Sequence, residues 1–282
     1  MAFLAGLFGY VLNFIYQIVN NYGWAIIIFT IVVKIAMLPI SIKQQKTMKK
    51  TAKIQEKLKQ IQFKYKNDPE QLNKATIELY KSEKMSPFSG CLSGIIQIIL
   101  LLSVFLMVQS PLTYTLKVDP TLIEQYKNEI KEQNEEDNSR NVYPEIQVIR
   151  EKGQEDERVA VNMDFLGLDL SSVPISNLSD LRVYVIPVLY VLSSVISIKL
   201  STNINGKPKK KEENGDEEEK SELDAVTQAN KNMLYIMPIM SVSISLIAPL
   251  GLALYWLVSN VLMIIERIIL NNYFNKEVEE DA

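Results

Sequence analysis

Histidine is absent from this chain, and cysteine occurs once, at Cys91. The first absence excludes His-ligated zinc, Ser-His-Asp triads and histidine proton relays. The second leaves no intrachain disulfide and no cysteine-rich metal site. No glycine-rich phosphate loop is present, and no cofactor is expected. The first residues lack the basic n-region and small-residue cleavage site of a signal peptide, and no lipid-attachment cysteine stands near the start, so neither kind of processing is expected. Charge is also missing where the chain is most apolar. Charged residues make up 22% of the sequence but lie almost entirely between long apolar runs, and the net charge of −3 hides strong local asymmetry. That distribution predicts a multi-span membrane protein.

Gly23 to Ile42 is about the length needed to cross a bilayer, roughly 20 apolar residues, and carries one charge, Lys34. To snorkel, Lys34 would have to reach about 8 residues to the Ile42 end, roughly 12 Å. A polar cavity inside the membrane is the preferred reading, because an intramembrane ammonium should face water or a partner. Ahead of it, residues 1–22 carry no charged side chain and place Leu4, Leu7, Phe8, Val11, Phe14, Ile15 and Ile18 on one helical face. This stretch could span; an external amphipathic helix in the interface is expected.

Residues 43–86 hold 12 Lys against 5 acidic residues. Thr47, Thr51, Ile54, Leu58, Ile61 and Tyr65 form a narrow stripe at 4-3 spacing. Asn67-Asp68-Pro69 stops that helix, and Asp68 caps a second one that Pro69 opens, which together predict a basic helical hairpin. Its charge is first of all a solvated face, and it also marks the cytoplasmic side. Residues 87–108 read as a second span containing Gln97, an amide suited to a helix–helix hydrogen bond or to a substrate. Residues 109–180, with 7 basic and 15 acidic side chains, should lie outside. The middle, Lys117 to Glu157, has little apolar content, and extended order is not expected there. Residues 181–200 are a third span, 201–232 a charged cytoplasmic linker, 233–248 a short fourth span with Pro238 inside, and 252–270 a fifth with Trp256, Ser259 and Asn260. Residues 271–282 form an acidic tail. Alternation of sides puts the N-terminus outside and the C-terminus in the cytoplasm. The fold class expected is an all-α polytopic membrane protein.

Several segments stand in a telling order: Gly23-Trp24-Ala25-Ile26 with Lys34 and Pro39, Ile42-Lys43-Gln44, Lys64-Tyr65-Lys66, Leu79-Tyr80-Lys81 and Pro87 with Gly90-Cys91-Leu92. Later come Phe165-Leu166-Gly167-Leu168-Asp169-Leu170, Met237-Pro238, and Pro249, Gly251-Leu252, Leu254-Tyr255-Trp256 and Ser259-Asn260, the last block being the most specific. Taken in order, these segments resemble the YidC / oxidase-assembly / chloroplast Albino family of membrane protein insertases. The resemblance implies five transmembrane helices around a hydrophilic groove open to the cytoplasm, plus a cytoplasmic helical hairpin. It gives Lys34, five residues before Pro39, the role of the groove charge, with Gln97 and Trp256 as further groove-lining residues. Pro39, Pro238, Tyr255 and Asn260 would shape the groove. Lys49, Lys50, Lys53 and Lys57 would make the hairpin's contacts.

The sequence departs from the family pattern in places. Lys34 stands where Arg is commoner, which keeps the charge and loses the bidentate fork. Ser93-Gly94 replace Leu-Pro. The outer loop is longer than in short Gram-positive-type members, yet lacks the large periplasmic domain of Gram-negative ones. An acidic tail replaces the basic one that some members use at the ribosome, which argues against that contact. The function implied is a non-enzymatic insertase and chaperone in the bacterial plasma membrane. Its partners would be nascent membrane proteins, anionic lipids and, through the hairpin, the ribosome or a secretion channel, with no DNA. Rival readings are a small-anion transporter or channel, against which no inverted repeat is visible, and a scaffold docking partners through the basic hairpin. An enzyme is the weakest reading, since the spans offer only scattered Ser and Thr.

Overall fold

The computed structural model describes residues 1–66, 68–83, 89–133, 143–204 and 242–280. These fold as an all-α membrane protein with one small hairpin of strands. Four described helices are long and apolar enough to cross a membrane: Ala2–Val19, Tyr22–Thr47, Leu181–Leu200 and Leu250–Tyr273. A shorter apolar helix runs over Ile95–Gln109. Most of the expected fourth span, including Pro238, lies outside the described residues. The chain divides into two compact units, Met1–Lys34 with Ser103–Ala282, and Ile35–Leu102.

In the first unit, α1 (Ala2–Val19) ends at Asn20 in a left-handed conformation, φ 48°. Asn21 then caps α2 (Tyr22–Lys64), its Oδ1 accepting from the Trp24 N–H at 3.1 Å. α1 buries Ala5, Gly9, Leu12 and Ile15, while Phe3, Leu7, Tyr10, Phe14 and Ile18 are exposed. Its inner face packs on a short π-helical turn, Leu112–Leu116, that follows α4 (Ser89–Gln109). Contact is so close that a Cβ at Gly9 would overlap the Tyr114 carbonyl, whereas Gly6 faces open space. Phe8 meets Phe29 of α2 edge to face at 5.8 Å, and Lys117 lies over the Tyr10 ring.

Residues 120–133 and 144–152 are helical, where the composition of 117–157 gives no expectation of extended order; residues 134–142 lie outside the described residues. α5 (Pro120–Gln133) and α6 (Pro144–Lys152) pack on each other. Few apolar residues suffice because they are well spaced: Ile123 and Ile130 on α5, and Ile146, Val148 and Ile149 on α6, are all buried. Polar groups complete the contact. Tyr126 donates to Asp156 Oδ2 at 2.7 Å, and Lys152 pairs with Glu129 at 3.4 Å. Glu145 is 4% exposed, and its carboxylate accepts from the Thr113 N–H at 3.0 Å and hydroxyl at 2.5 Å, tying α6 to the π-helical turn.

Asp164–Phe165 (β1) and Leu168–Asp169 (β2) pair antiparallel around a two-residue turn. Both turn residues have positive φ, 53° at Leu166 and 78° at Gly167, the combination that suits a tight hairpin. This hairpin is the joint of the unit. On one side Tyr22 N–H donates to the Asn162 carbonyl at 2.9 Å, Asn21 Nδ2 to the Asp164 carbonyl at 2.5 Å, and Asn162 N–H to the Tyr16 hydroxyl at 2.9 Å. Phe165 fills the space over Gly23, where any Cβ would strike its ring, and stacks edge-on with Trp24 at 5.4 Å. On the other side Gly251 N–H donates to the Leu170 carbonyl at 3.0 Å and Leu250 N–H to the Ser172 carbonyl at 2.9 Å. The last helix, α8 (Leu250–Glu280), therefore starts from the same hairpin as α2.

α7 (Val185–Ile204) packs along α8. Its buried line is Ile186, Tyr190, Ser193, Ser194 and Ser197, and its exposed line is Val188, Leu189, Leu192, Val195 and Ile196. An apolar outer face and a small-residue inner face suit a helix with lipid on one side and a helix on the other.

The second unit holds the rest of α2, α3 (Pro69–Ser82) and the start of α4. Asp68 caps α3 by accepting from the Gln71 N–H at 3.0 Å, with Pro69 as its first residue. Ile54, Leu58 and Thr76 are buried, and Lys57 Nζ donates to Glu83 Oε1 at 2.5 Å.

Two tests follow from this packing. Gly9→Leu should destabilise the protein by about 1–3 kcal/mol through overpacking, while Gly6→Leu should leave the thermal midpoint in detergent unchanged. In the outer region, hydrogen bonds from Arg158 and from the Tyr126 hydroxyl hold the Asp156 carboxyl well below the usual carboxylate range. A lowered folded-state value stabilises above the ordinary carboxylate pKa, and that contribution fades as pH falls towards the lowered one. The protection of α5 and α6 amides from hydrogen exchange, relative to the free-chain rate at each pH, should therefore fall on acidification below about pH 4, and Asp156→Asn should remove that component.

Candidate functional site

The site is built from two helices that leave the same hairpin in the same direction. Lys34 stands 12 residues beyond Tyr22 and Glu266 stands 15 beyond Gly251, about 18 and 22 Å along their axes at roughly 1.5 Å per residue. That common depth brings them together: Lys34 Nζ lies 3.9 Å from Glu266 Oε2. Lys34 continues the face of α2 on which Gly23 and Thr30 are buried, since 23, 30 and 34 fall within a narrow arc at 100° per residue. Ala25, Ile26 and Phe29 are buried on one flank of that face, and Trp24, Ile31, Val32, Ile35 and Leu38 are exposed on the other side of the helix. The ammonium thus faces protein, as the cost of an unpaired charge in hydrocarbon requires. Thr30 adds no free donor, because its hydroxyl bonds back to the Ile26 carbonyl at 2.6 Å.

Along α8, positions 255, 259 and 266 share one face and positions 256 and 260 another. Asn260 is committed to holding α8 on α7: its Nδ2 donates to Ser193 Oγ at 3.0 Å and Ser194 Oγ at 3.1 Å, and the Ser193 hydroxyl in turn donates to the Tyr190 carbonyl at 2.8 Å. Trp256, 8% exposed, lies 6.1 Å from the Tyr190 ring on the same interface. Tyr255 is half-buried on the face that leads down to Glu266.

The other sequence candidates fall elsewhere. Gln97 and Pro39 belong to the second unit, and both are exposed. Lys50 is exposed, and Lys57 is engaged by Glu83. The side chains of Lys49 and Lys53, like Pro238, lie outside what is described. The residue that sequence reasoning missed is Glu266. The signal was there: Glu266-Arg267 interrupts the apolar run of the fifth span as Lys34 interrupts the first, and the same question about cost leads to the same answer. Among the described residues no group of His, Cys, Asp and Glu could hold a metal ion.

Fold and site define a polytopic α-helical membrane protein in which an ion pair joins the apolar helix α2 to the last helix, α8. The family model described as 60Kd inner membrane protein matches residues 14–277, and the chain belongs to that family. A protein named membrane protein insertase YidC from Fusobacterium nucleatum is 28% identical over 259 residues, covering 92% of this chain and 90% of its own length. The protein of that name from Caldanaerobacter subterraneus is 41% identical over 110 residues, 39% of this chain and 53% of its own. That from Geobacter metallireducens is 28% identical over 267 residues, 95% of this chain but 36% of its own. The chain therefore spans nearly all of the first relative and about a third of the last.

Asn260→Ala tests the structural role assigned to that side chain. It should lower stability by about 0.6–2 kcal/mol, the range for interhelical hydrogen bonds in membranes, read as a shift in thermal unfolding in detergent.

Proposed function

We propose that this protein inserts nascent integral membrane proteins into the bacterial plasma membrane and assists their folding. Membership of the family over residues 14–277, together with relatives named as insertases, supports the activity. The observation that carries the mechanism is Lys34, a charge on the protein-facing side of an apolar span. In this reading the spans enclose a hydrophilic groove open to the cytoplasm and to lipid. A client's outer segment must cross hydrocarbon, where its backbone and charges lose water. A groove part-way through the bilayer shortens that path, and Lys34 draws in the acidic residues such segments carry, more strongly where the dielectric is low. The client's apolar span then passes into lipid, gaining about 25 cal/mol per Å² buried. No covalent step and no nucleotide enter the cycle.

The N-terminus would lie outside and the C-terminus in the cytoplasm, with α1 in the outer interface. Its packing on the turn after α4 and its exposed apolar face support that placement. The basic hairpin of residues 43–86 would meet anionic lipid, the client, or a ribosome or secretion channel delivering it.

Liposomes containing the purified protein alone test this reading. The client is a small protein with one span and a short acidic outer tail, scored by protease protection. Wild type should protect the tail, and Lys34→Ala should cut the initial rate about tenfold, the effect of losing roughly 1.4 kcal/mol of charge attraction. Protection by wild type with an unaltered rate in the variant would remove Lys34 from the mechanism; no protection would refute autonomous insertion.

A further inference from the structure

We propose that Glu266 is a built-in competitor for Lys34: it occupies the ammonium until a client carboxylate displaces it, and so sets how acidic a tail must be to engage. The proposal rests on the insertase reading and goes beyond it by assigning a specificity-determining residue on the last helix.

Three observations carry it. The Lys34–Glu266 separation of 3.9 Å is an ion pair beyond hydrogen-bond reach. An incoming carboxylate that approaches to about 2.8 Å exchanges a loose pairing for a charge-assisted hydrogen bond. Second, the two partners are unequally accessible: the Lys34 side chain keeps 26% of its exposure and Glu266 keeps 12%. A ligand arriving from the open side therefore meets the ammonium more readily than the carboxylate. Third, Arg267 follows Glu266 directly and lies within electrostatic reach of both. When Lys34 turns to a client, the positive charge of Arg267 stays next in sequence to Glu266 and lessens the cost of leaving that carboxylate without its lysine. A lysine suits such exchange, being a point charge on a flexible stem. An arginine locked bidentate onto Glu266 would be harder to displace.

The test uses proteoliposomes and three clients that share one span and differ only in an acidic, neutral or basic outer tail. The quantity read is the ratio of insertion rates, acidic to neutral and basic to neutral. Glu266→Gln removes the competitor and should raise the acidic-to-neutral ratio about threefold, the range of one partly exposed ion pair. Lys34→Glu/Glu266→Lys restores a pair of opposite polarity and should turn the preference towards basic tails. An unchanged or lowered acidic-to-neutral ratio in Glu266→Gln, at an unchanged thermal midpoint, would overturn the proposal. Should that variant fail to fold, the exchanged pair decides: continued preference for acidic tails would overturn the proposal as surely. Wild type that inserts none of the clients refutes the insertase reading and the competitor with it. Wild type that inserts them, with a ratio unmoved by Glu266→Gln but reversed by the exchanged pair, refutes the role of Glu266 alone.

Discussion

The way α2 and α8 start together depends on the register that one two-stranded hairpin imposes. Tyr22 and Gly251, at the starts of α2 and α8, both donate their N–H groups to its flanking backbone. A helix start has four unpaired N–H groups, and placing two such starts side by side in a membrane interface needs acceptors for them. The Asn162 and Leu170 carbonyls supply one to each helix. Gly23 makes the approach possible by leaving room for the Phe165 ring. Because both helices are then fixed at the same level, charges 12 and 15 residues further on meet. A short hairpin thereby decides a contact about 20 Å away.

The outer region was the part of the fold least legible in the sequence. Its acidic composition reads as a segment without enough apolar surface to fold, and hydropathy averaged over forty or so residues hides five well-placed isoleucines and valines. The second reason is non-local. Glu145 reads as one more surface acid, yet it is buried because the Thr113 N–H and hydroxyl are waiting for it. Local signals served better where the physics was local. Asp68-Pro69 specifies the start of α3 through a cap and a fixed φ, both complete within four residues. Lys34 was visible as a cost. Its partner was less so, because Glu266-Arg267 sits where an apolar run can also be read as ending.

The two faces of α8 show how one helix carries a structural and a polar line without conflict. The Trp256–Asn260 face packs on α7, where serine hydroxyls let the backbones approach and accept the Asn260 amide protons. In a bilayer such hydrogen bonds are worth little individually, since apolar packing has no water to escape and a polar group can find other partners. Their effect here is orientation. With Asn260 fixed on Ser193 and Ser194, the face holding Tyr255, Ser259 and Glu266 is turned away by the helical repeat and is available for Lys34.

An ion pair in that position is not explained by stability. Two apolar side chains would fill the space with no desolvation penalty, and buried pairs often lose to such replacements. The pair is also loose, at 3.9 Å, and keeps part of its exposure. A purely structural bridge would gain from a shorter distance and deeper burial, since both raise the attraction. A pair that must open gains from neither. Looseness lowers the cost of separating the charges, and a neighbouring Arg267 limits what separation leaves behind. The geometry is thus better suited to being broken than to being kept, which is what a carboxylate-bearing tail would require of it.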